Sequence, residues 1–261
     1  MTAAPATLGL IGFGALGRQI AAEMGPREAR WLVLTRHGAR ELPAHVAPVD
    51  DLAALIAARP VAVVEVAGAA AVAAHAPALL EAAIPMVLAS VGALADDRLA
   101  AQLEAASAAS GAQLVRPAGA VGGLDYLAAI AHLPDARLRY TSRKPPAAWA
   151  EELALRGLDA TAHAVVLFEG SAEDAARRFP RNLNAGLTLA SACRPAPLAV
   201  RVVADPAATG NTHEIEAESA AGIALLRFVN APSPVNPKTS LVTALSLVTA
   251  LRALLAQGRP R

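Results

Sequence analysis

Near the start of the chain a short apolar run, Leu8-Gly9-Leu10-Ile11, ends in three spaced glycines, Gly12, Gly14 and Gly17, and continues directly into an alanine-rich amphipathic segment. That order of pattern predicts a strand, a tight turn and a helix. Apolar and polar stretches then alternate at short intervals. Residues 31–35 predict a second strand, Asp50 and Asp51 open a short helix with their charge at its N-terminal end, and residues 61–67 form an apolar, β-branched run broken by Glu65. Such a run suits a parallel strand buried on both faces. Helices follow over 70–83 and 96–110, with strands over 86–90 and 113–116. Repeated strand–helix units with connections this short specify one open parallel sheet with helices on both faces.

The pattern changes after Arg116. The segment Pro117-Ala118-Gly119-Ala120-Val121-Gly122-Gly123-Leu124-Asp125 predicts a glycine-rich turn running into a helix over 126–131. Beyond it, strand character recurs over 138–143, 163–169, 198–204, 213–218 and 224–229, in several places with polar and apolar residues alternating. Alternation marks a sheet with one face on a core and the other exposed or covered by a partner. The expected architecture is therefore α/β: an N-terminal Rossmann, doubly wound parallel sheet over 1–116 and a second, α+β domain over 117–261. The apolar final helix, over 240–255, is expected to pack back between the domains. Ligands of a doubly wound sheet bind at its carboxyl edge, where Ser90-Val91-Gly92-Ala93-Leu94 would lie.

Composition narrows the function classes. The 261 residues carry a formal net charge of +1 and 55% hydrophobic residues, which fits a soluble protein and gives no charge bias towards nucleic acid or an anionic membrane. No run approaches the roughly 20 strongly apolar residues that span a bilayer. Residues 1–7 lack a basic region before the first apolar run, and that run is needed as a strand, so a cytoplasmic protein without a signal peptide is expected. The single cysteine, Cys193, forms no internal disulfide and has no metal-ligand cluster beside it, and no metal site is expected. Two biases add information. Only Lys144 and Lys238 are lysine, and the asparagines, Asn182, Asn184, Asn211, Asn230 and Asn236, all fall in the last third. A chain that avoids these residues almost everywhere and gathers them late suggests that their chemistry is needed there.

The candidate chemistry starts at the glycines. Gly12 permits the tight turn, Gly14 lets the backbone approach a pyrophosphate, and Gly17 lets helix and strand pack closely. The pyrophosphate then meets free N–H groups at the helix N-terminus. Gly12, Gly14, Ala15, Leu16 and Gly17 are thus candidate contacts to a dinucleotide. About 20 residues on, a site that prefers NAD places an acid for the ribose hydroxyl, whereas a nearby arginine suits a 2′-phosphate. Here Thr35-Arg36-His37-Gly38 offers Arg36 and no acid. The cofactor expected is NADP or NAD, with a lean to NADP unless Arg36 is merely solvated.

Three later clusters compete for the reaction itself. In Phe179-Pro180-Arg181-Asn182-Leu183-Asn184-Ala185, either amide could cap the following helix or bind a nicotinamide carboxamide or a substrate carboxylate. In Gly210-Asn211-Thr212-His213-Glu214, His213 stands where a loop is expected to enter a strand, and it is either structural or a proton carrier. In Asn236-Pro237-Lys238-Thr239-Ser240, a helix start beside an ammonium group is either a simple cap or an anion site.

Taken together, the fingerprint 12–17, Ser90 to Leu94, Gly119 to Asp125, Asn182-Leu183-Asn184, Asn211-Thr212-His213 and Asn236-Pro237-Lys238-Thr239-Ser240 resemble the L-aspartate dehydrogenase family over nearly the whole chain, in order. The resemblance implies oxidation of L-aspartate to iminoaspartate with NAD or NADP. The imine then hydrolyses to oxaloacetate and ammonia or feeds NAD biosynthesis. Carried over by motif, His213 would be the catalytic residue, and Ala120 and Asn184 would contact the nicotinamide cofactor. Asn182, Lys238, Thr239 and Ser240 are the candidates for substrate binding. The chain departs from the family at Ala118, where serine is usual, and at Arg181, where lysine is usual. Competing readings are another two-domain reductase, of homoserine dehydrogenase-like or dihydrodipicolinate reductase-like type, and a non-catalytic NADP(H)-sensing protein. The mixed polarity of the second sheet, including residues 200–203 and 223–229, leads us to expect a homodimer or higher homo-oligomer.

Overall fold

In a computed structural model of the protein, residues 4–36, 42–179, 184–234 and 239–257 are described. The chain divides into two compact units, Met1–Pro117 with Ala244–Arg261, and Ala118–Thr243. In the first, the elements run β1 (Ala6–Ile11), α1 (Ala15–Glu28), β2 (Ala29–Leu34), β3 (Val46–Pro48), α2 (Leu52–Ala57), β4 (Val63–Glu65), α3 (Ala69–Glu81), β5 (Met86–Leu88), α4 (Asp97–Ser110) and β6 (Leu114–Val115). The sheet order is β3-β2-β1-β4-β5-β6 and every pairing is parallel. This is the doubly wound order of a dinucleotide-binding fold, with the crossing point beside β1.

Local chemistry explains these boundaries. Asp51 caps α2 by accepting from Ala54 N at 2.7 Å, and Asp96 caps α4 by accepting from the amides of Arg98 and Leu99. Gly111, at φ 76°, closes α4 in the left-handed conformation. Helix α1 bends at Gly25-Pro26, where Gly25 takes φ 55°. Strand β3, which the sequence pattern did not announce, is only three residues long and ends in Pro48, so it carries no alternation to read.

The second unit contains α5 (Leu124–Ile130), β7 (Arg137–Lys144), α6 (Ala150–Arg156), β8 (Val165–Ser171), α7 (Ala172–Arg178), α8 (Asn184–Ala192), β9 (Leu198–Ala204), β10 (Asn211–Ser219) and β11 (Gly222–Asn230). Its mixed sheet has the order β11-β10-β7-β9-β8. Helix α8 packs on β7, β9 and α5. The opposite face carries ion pairs, among them Arg139–Glu216, Arg143–Glu214 and Arg201–Glu169. Val200 and Val202 lie in the core, whereas Ile223, Leu225 and Val229 of edge strand β11 are 72%, 75% and 52% exposed.

The last helix, α9 (Leu241–Gln257), corrects the expected assignment of this segment to the second domain. From Ala244 onward it belongs to the first unit, where Ala244, Leu247, Val248, Leu251 and Leu254 join Leu8, Ile20, Met24 and Trp31 in one core. Arg252 fastens it by donating to both oxygens of Glu28 at 2.8 Å. An apolar helical stripe at the end of a chain shows that a core is needed but not which core, and here the partner lies more than two hundred positions away, as the Arg252–Glu28 pair records.

Candidate active site

In the first unit the glycine turn forms as its spacing demands. Gly12 takes φ 92°, and a Cβ there would lie 2.9 Å from the Ala67 methyl. A Cβ on Gly17 would stand 2.6 Å from the Gly12 carbonyl oxygen, so helix and strand require both positions to be bare. Gly14 differs. Its φ of −78° suits any residue, and a Cβ there would meet nothing within 4 Å. The fold therefore does not demand a glycine at position 14, whereas close approach of a pyrophosphate does. Gly14 is also the N-cap of α1, with no side-chain cap and no acid in the first turn, leaving the helix start suited to an anion. The fingerprint thus fits a dinucleotide. Ala15 and Leu16 begin that helix, and Arg36 is exposed just past β2. His37 lies outside the described residues.

Glu65 was visible in the sequence only as an acid interrupting an apolar strand. Its carboxyl group is wholly buried, and Oε1 accepts from Ala67 N at 2.6 Å, Gly68 N at 2.7 Å and Ser90 Oγ at 3.1 Å, while Oε2 accepts from Ser90 N at 3.2 Å. Burial raises its pKa, against the pull of these donors. The group ties the end of β4 to the end of β5 and holds Ala67 against Gly12. The Ser90 to Leu94 segment is a single 3₁₀ turn over Val91–Ala95, directly after β5.

In the second unit the candidate His213 lies on the inner face of β10, beside β7. His213 is the third residue of β10 rather than a residue at a loop–strand junction, and it pairs with Ser142 on one side and Phe228 on the other. Side chains two apart on a strand share a face, so Tyr140, Ser142 and Lys144 of β7 lie on the same side as His213. The imidazole is buried, with Nδ1 2.7 Å from the Tyr140 hydroxyl and the two rings stacked. Its Nε2 has no hydrogen-bond partner among the described residues, and neither has the buried Ser142 Oγ. Burial, aided by the Lys144 charge, holds the His213 pKa down at about 4, so the ring is neutral near pH 7. Burial also raises the Tyr140 phenol and lowers the Lys144 ammonium to about 8.

Neighbouring backbone is fixed to this face. Asn230 Nδ2 donates to the Ala120 carbonyl at 2.7 Å, a Cβ on Gly122 would press on the Phe228 ring at 3.3 Å, and one on Gly123 would stand 2.6 Å from Leu226 Cδ1. Asn230 pairs with Asn211 across the ladder, and Asn211 Nδ2 donates to the buried Ser240 Oγ at 3.4 Å. Ala120 and Ser240 are thereby tied to the Asn211–Asn230 pair, which stands two residues before His213 on β10. Asn184 is the exposed first residue of α8, and the Thr239 carbonyl accepts from Ser233 N at 2.7 Å. Asn182, Lys238, Asn236 and Arg181 lie outside the described residues. Among the described residues, no group of three or more His, Cys, Asp or Glu could hold a metal ion. Cys193 is buried, which pushes its thiol up to about 11.

The chain is similar to known proteins over nearly its whole length. The family model for the C-terminal part of aspartate dehydrogenase matches residues 125–254, and the model for the NAD-binding domain of homoserine dehydrogenase matches residues 12–117. L-aspartate dehydrogenase 2 of Bordetella bronchiseptica is 45% identical over 259 residues, covering 96% of this chain and 97% of its own. The chain belongs to the L-aspartate dehydrogenase family. The L-aspartate dehydrogenase of Brucella anthropi is 39% identical over 94% of this chain and 95% of its own. The crystal structure of aspartate dehydrogenase from Thermotoga maritima is similar with a TM-score of 0.75 and 26% identity, covering 98% of both chains. A dihydrodipicolinate reductase from Paenisporosarcina, at a TM-score of 0.52 and 12% identity, shares the fold alone. The homoserine dehydrogenase match over residues 12–117 is to an NAD-binding domain.

Proposed function

We propose that this protein oxidises L-aspartate to iminoaspartate with NADP or NAD, and that His213 is its proton carrier. The observation that carries the reading is the buried His213 ring, held at Nδ1 by Tyr140 and open at Nε2. When bound, the nicotinamide accepts the hydride from the substrate α-carbon. The chain supplies the rest. The turn at Gly12, Gly14 and Gly17 and the start of α1 receive the pyrophosphate, Arg36 faces the adenosine ribose, and Ala120 and Asn184 contact the nicotinamide end.

His213 works as a base and then as the acid it becomes. With the proton on Nδ1 and donated to the Tyr140 oxygen, Nε2 is an acceptor that takes a proton from the substrate amine or from the water attacking the imine. The imidazolium so formed keeps its Nδ1–H on Tyr140 and returns the proton from Nε2 to the departing ammonia, restoring the neutral ring. Asn182, Lys238, Thr239 and Ser240 are assigned to substrate binding, with Ser240 joined to β10 through Asn211. The oxaloacetate and ammonia released, or the imine itself, would serve NAD biosynthesis in the cytoplasm.

We also propose that the exposed apolar residues Ile223, Leu225 and Val229 pack on a second copy, making a homodimer or higher homo-oligomer. Light scattering of the eluted protein reads this directly. The activity is tested by reduced-nicotinamide absorbance with L-aspartate and either cofactor, and in reverse with oxaloacetate, ammonia and NADPH or NADH. Turnover in both directions, with ammonia matching the reduced cofactor formed, supports the reading. Tight NADPH binding with no turnover of any amino acid favours the sensing alternative.

A further inference from the structure

Lys144 is one of two lysines in the chain, and the fold buries it to 7% exposure on the face that carries His213. It lies two residues along β7 from Ser142, the residue directly opposite His213. Two residues of strand span roughly 7 Å, so an amino acid of four carbons can reach both side chains. Its ammonium sits 5.3 Å from the centre of the Trp149 ring, whose face shields it from water. The same face carries two buried polar atoms with no hydrogen-bond partner among the described residues, Ser142 Oγ and His213 Nε2. A cationic head, a hydroxyl and an imidazole nitrogen on one dry face form a receptor for an anion that also carries an exchangeable proton.

We propose that Lys144 is the residue that receives a carboxylate of the amino-acid substrate beside His213, with Ser142 Oγ donating to the same group. This rests on the reading of L-aspartate as substrate. It adds to Lys238, Thr239 and Ser240 a cation whose position the fold fixes. The burial that lowers the Lys144 pKa also makes an arriving carboxylate more valuable there than at an exposed lysine, because the charge has given up water.

The test compares the wild type with Lys144→Met, which keeps the length and removes the charge, and with Lys144→Arg, which restores it. Lys144→Gln replaces Lys144→Met should the apolar variant fold poorly. Two quantities are read on cofactor-loaded protein: KM for L-aspartate, and the affinity for succinate, a dicarboxylate with no amine to oxidise, by calorimetry. Loss of the charge should raise KM and weaken succinate each by roughly 10- to 100-fold. NADPH affinity should be unchanged, and Lys144→Arg should recover part of the loss. Unchanged KM and succinate affinity in Lys144→Met overturns the proposal, as does a fall in kcat alone. A wild type that binds succinate through Lys144 but does not turn over L-aspartate removes the proposed substrate and leaves the carboxylate site standing. A wild type that oxidises L-aspartate with a Lys144-independent KM removes the carboxylate site and leaves the activity.

Discussion

The two units present their candidate chemistry in different ways. In the first, the proposed cofactor site is backbone: a turn at Gly12, an open position at Gly14 and the uncapped start of α1, all within one short stretch of chain. In the second, the proposed reacting groups are side chains buried on one sheet face, and Tyr140 reaches His213 across 73 positions of sequence. A glycine turn is specified locally, so it tolerates change elsewhere. The His213 constellation exists only in one register of β7 against β10, since a slip by one residue would carry His213 to the face of ion pairs and bring Glu214 inward. Backbone sites of the first kind suit the invariant part of a ligand, the pyrophosphate, and side-chain sites of the second kind suit the substrate and its protons.

Variants that separate the two arrangements follow in order of expected effect. Glu65→Ala should be the most damaging to the first unit. It leaves three amides and a hydroxyl without their acceptor, and should lower stability by roughly 2–4 kcal/mol in urea unfolding. Gly14→Ala should leave the melting temperature unchanged, because nothing crowds its Cβ, yet weaken NADPH binding by roughly 5- to 100-fold in a fluorescence titration. Equal loss of stability and affinity would mean that position 14 serves the fold.

Tyr140→Phe removes one hydrogen bond from His213 Nδ1 and should reduce kcat by roughly 3- to 10-fold with NADPH affinity intact. The pH dependence tests the same pair. His213 titrates at about 4 in the folded chain, below its ordinary value, so the unfolded chain binds more protons between those two values. The His213 contribution to stability should therefore rise with pH across that window and be level above it, and His213 should stay neutral at pH 6 in an NMR titration of its imidazole. The smallest effect belongs to Arg36→Ala. An exposed charge is screened, and its removal should shift the NADP-over-NAD preference only a few-fold in kcat/KM.

Legibility in the sequence followed the same division. The parallel sheet, the fingerprint and most of the strand positions could be read because each is set by neighbouring residues. His213 stood out through the Gly-Asn-Thr before it. Tyr140 and Ser142 did not, because an apolar–polar strand gives no sign of which distant residue its inner face will meet. Lys144 carried a compositional signal, the scarcity of lysine, without any indication of place. Glu65 was legible as an anomaly in an apolar strand, and its meaning required the β4–β5 pairing that delivers Ser90. Helix α9 was legible as a helix, but its core partner was not, since the apolar stripe fits either unit equally well.

The central claim is that the buried face of β7 and β10 carries the proton chemistry while the glycine turn carries the cofactor. His213→Ala tests it most directly, with NADPH affinity and L-aspartate turnover measured on the same preparation. The account predicts affinity within about twofold of wild type and a fall in kcat of roughly 10²- to 10⁴-fold. Turnover retained in this variant would contradict it.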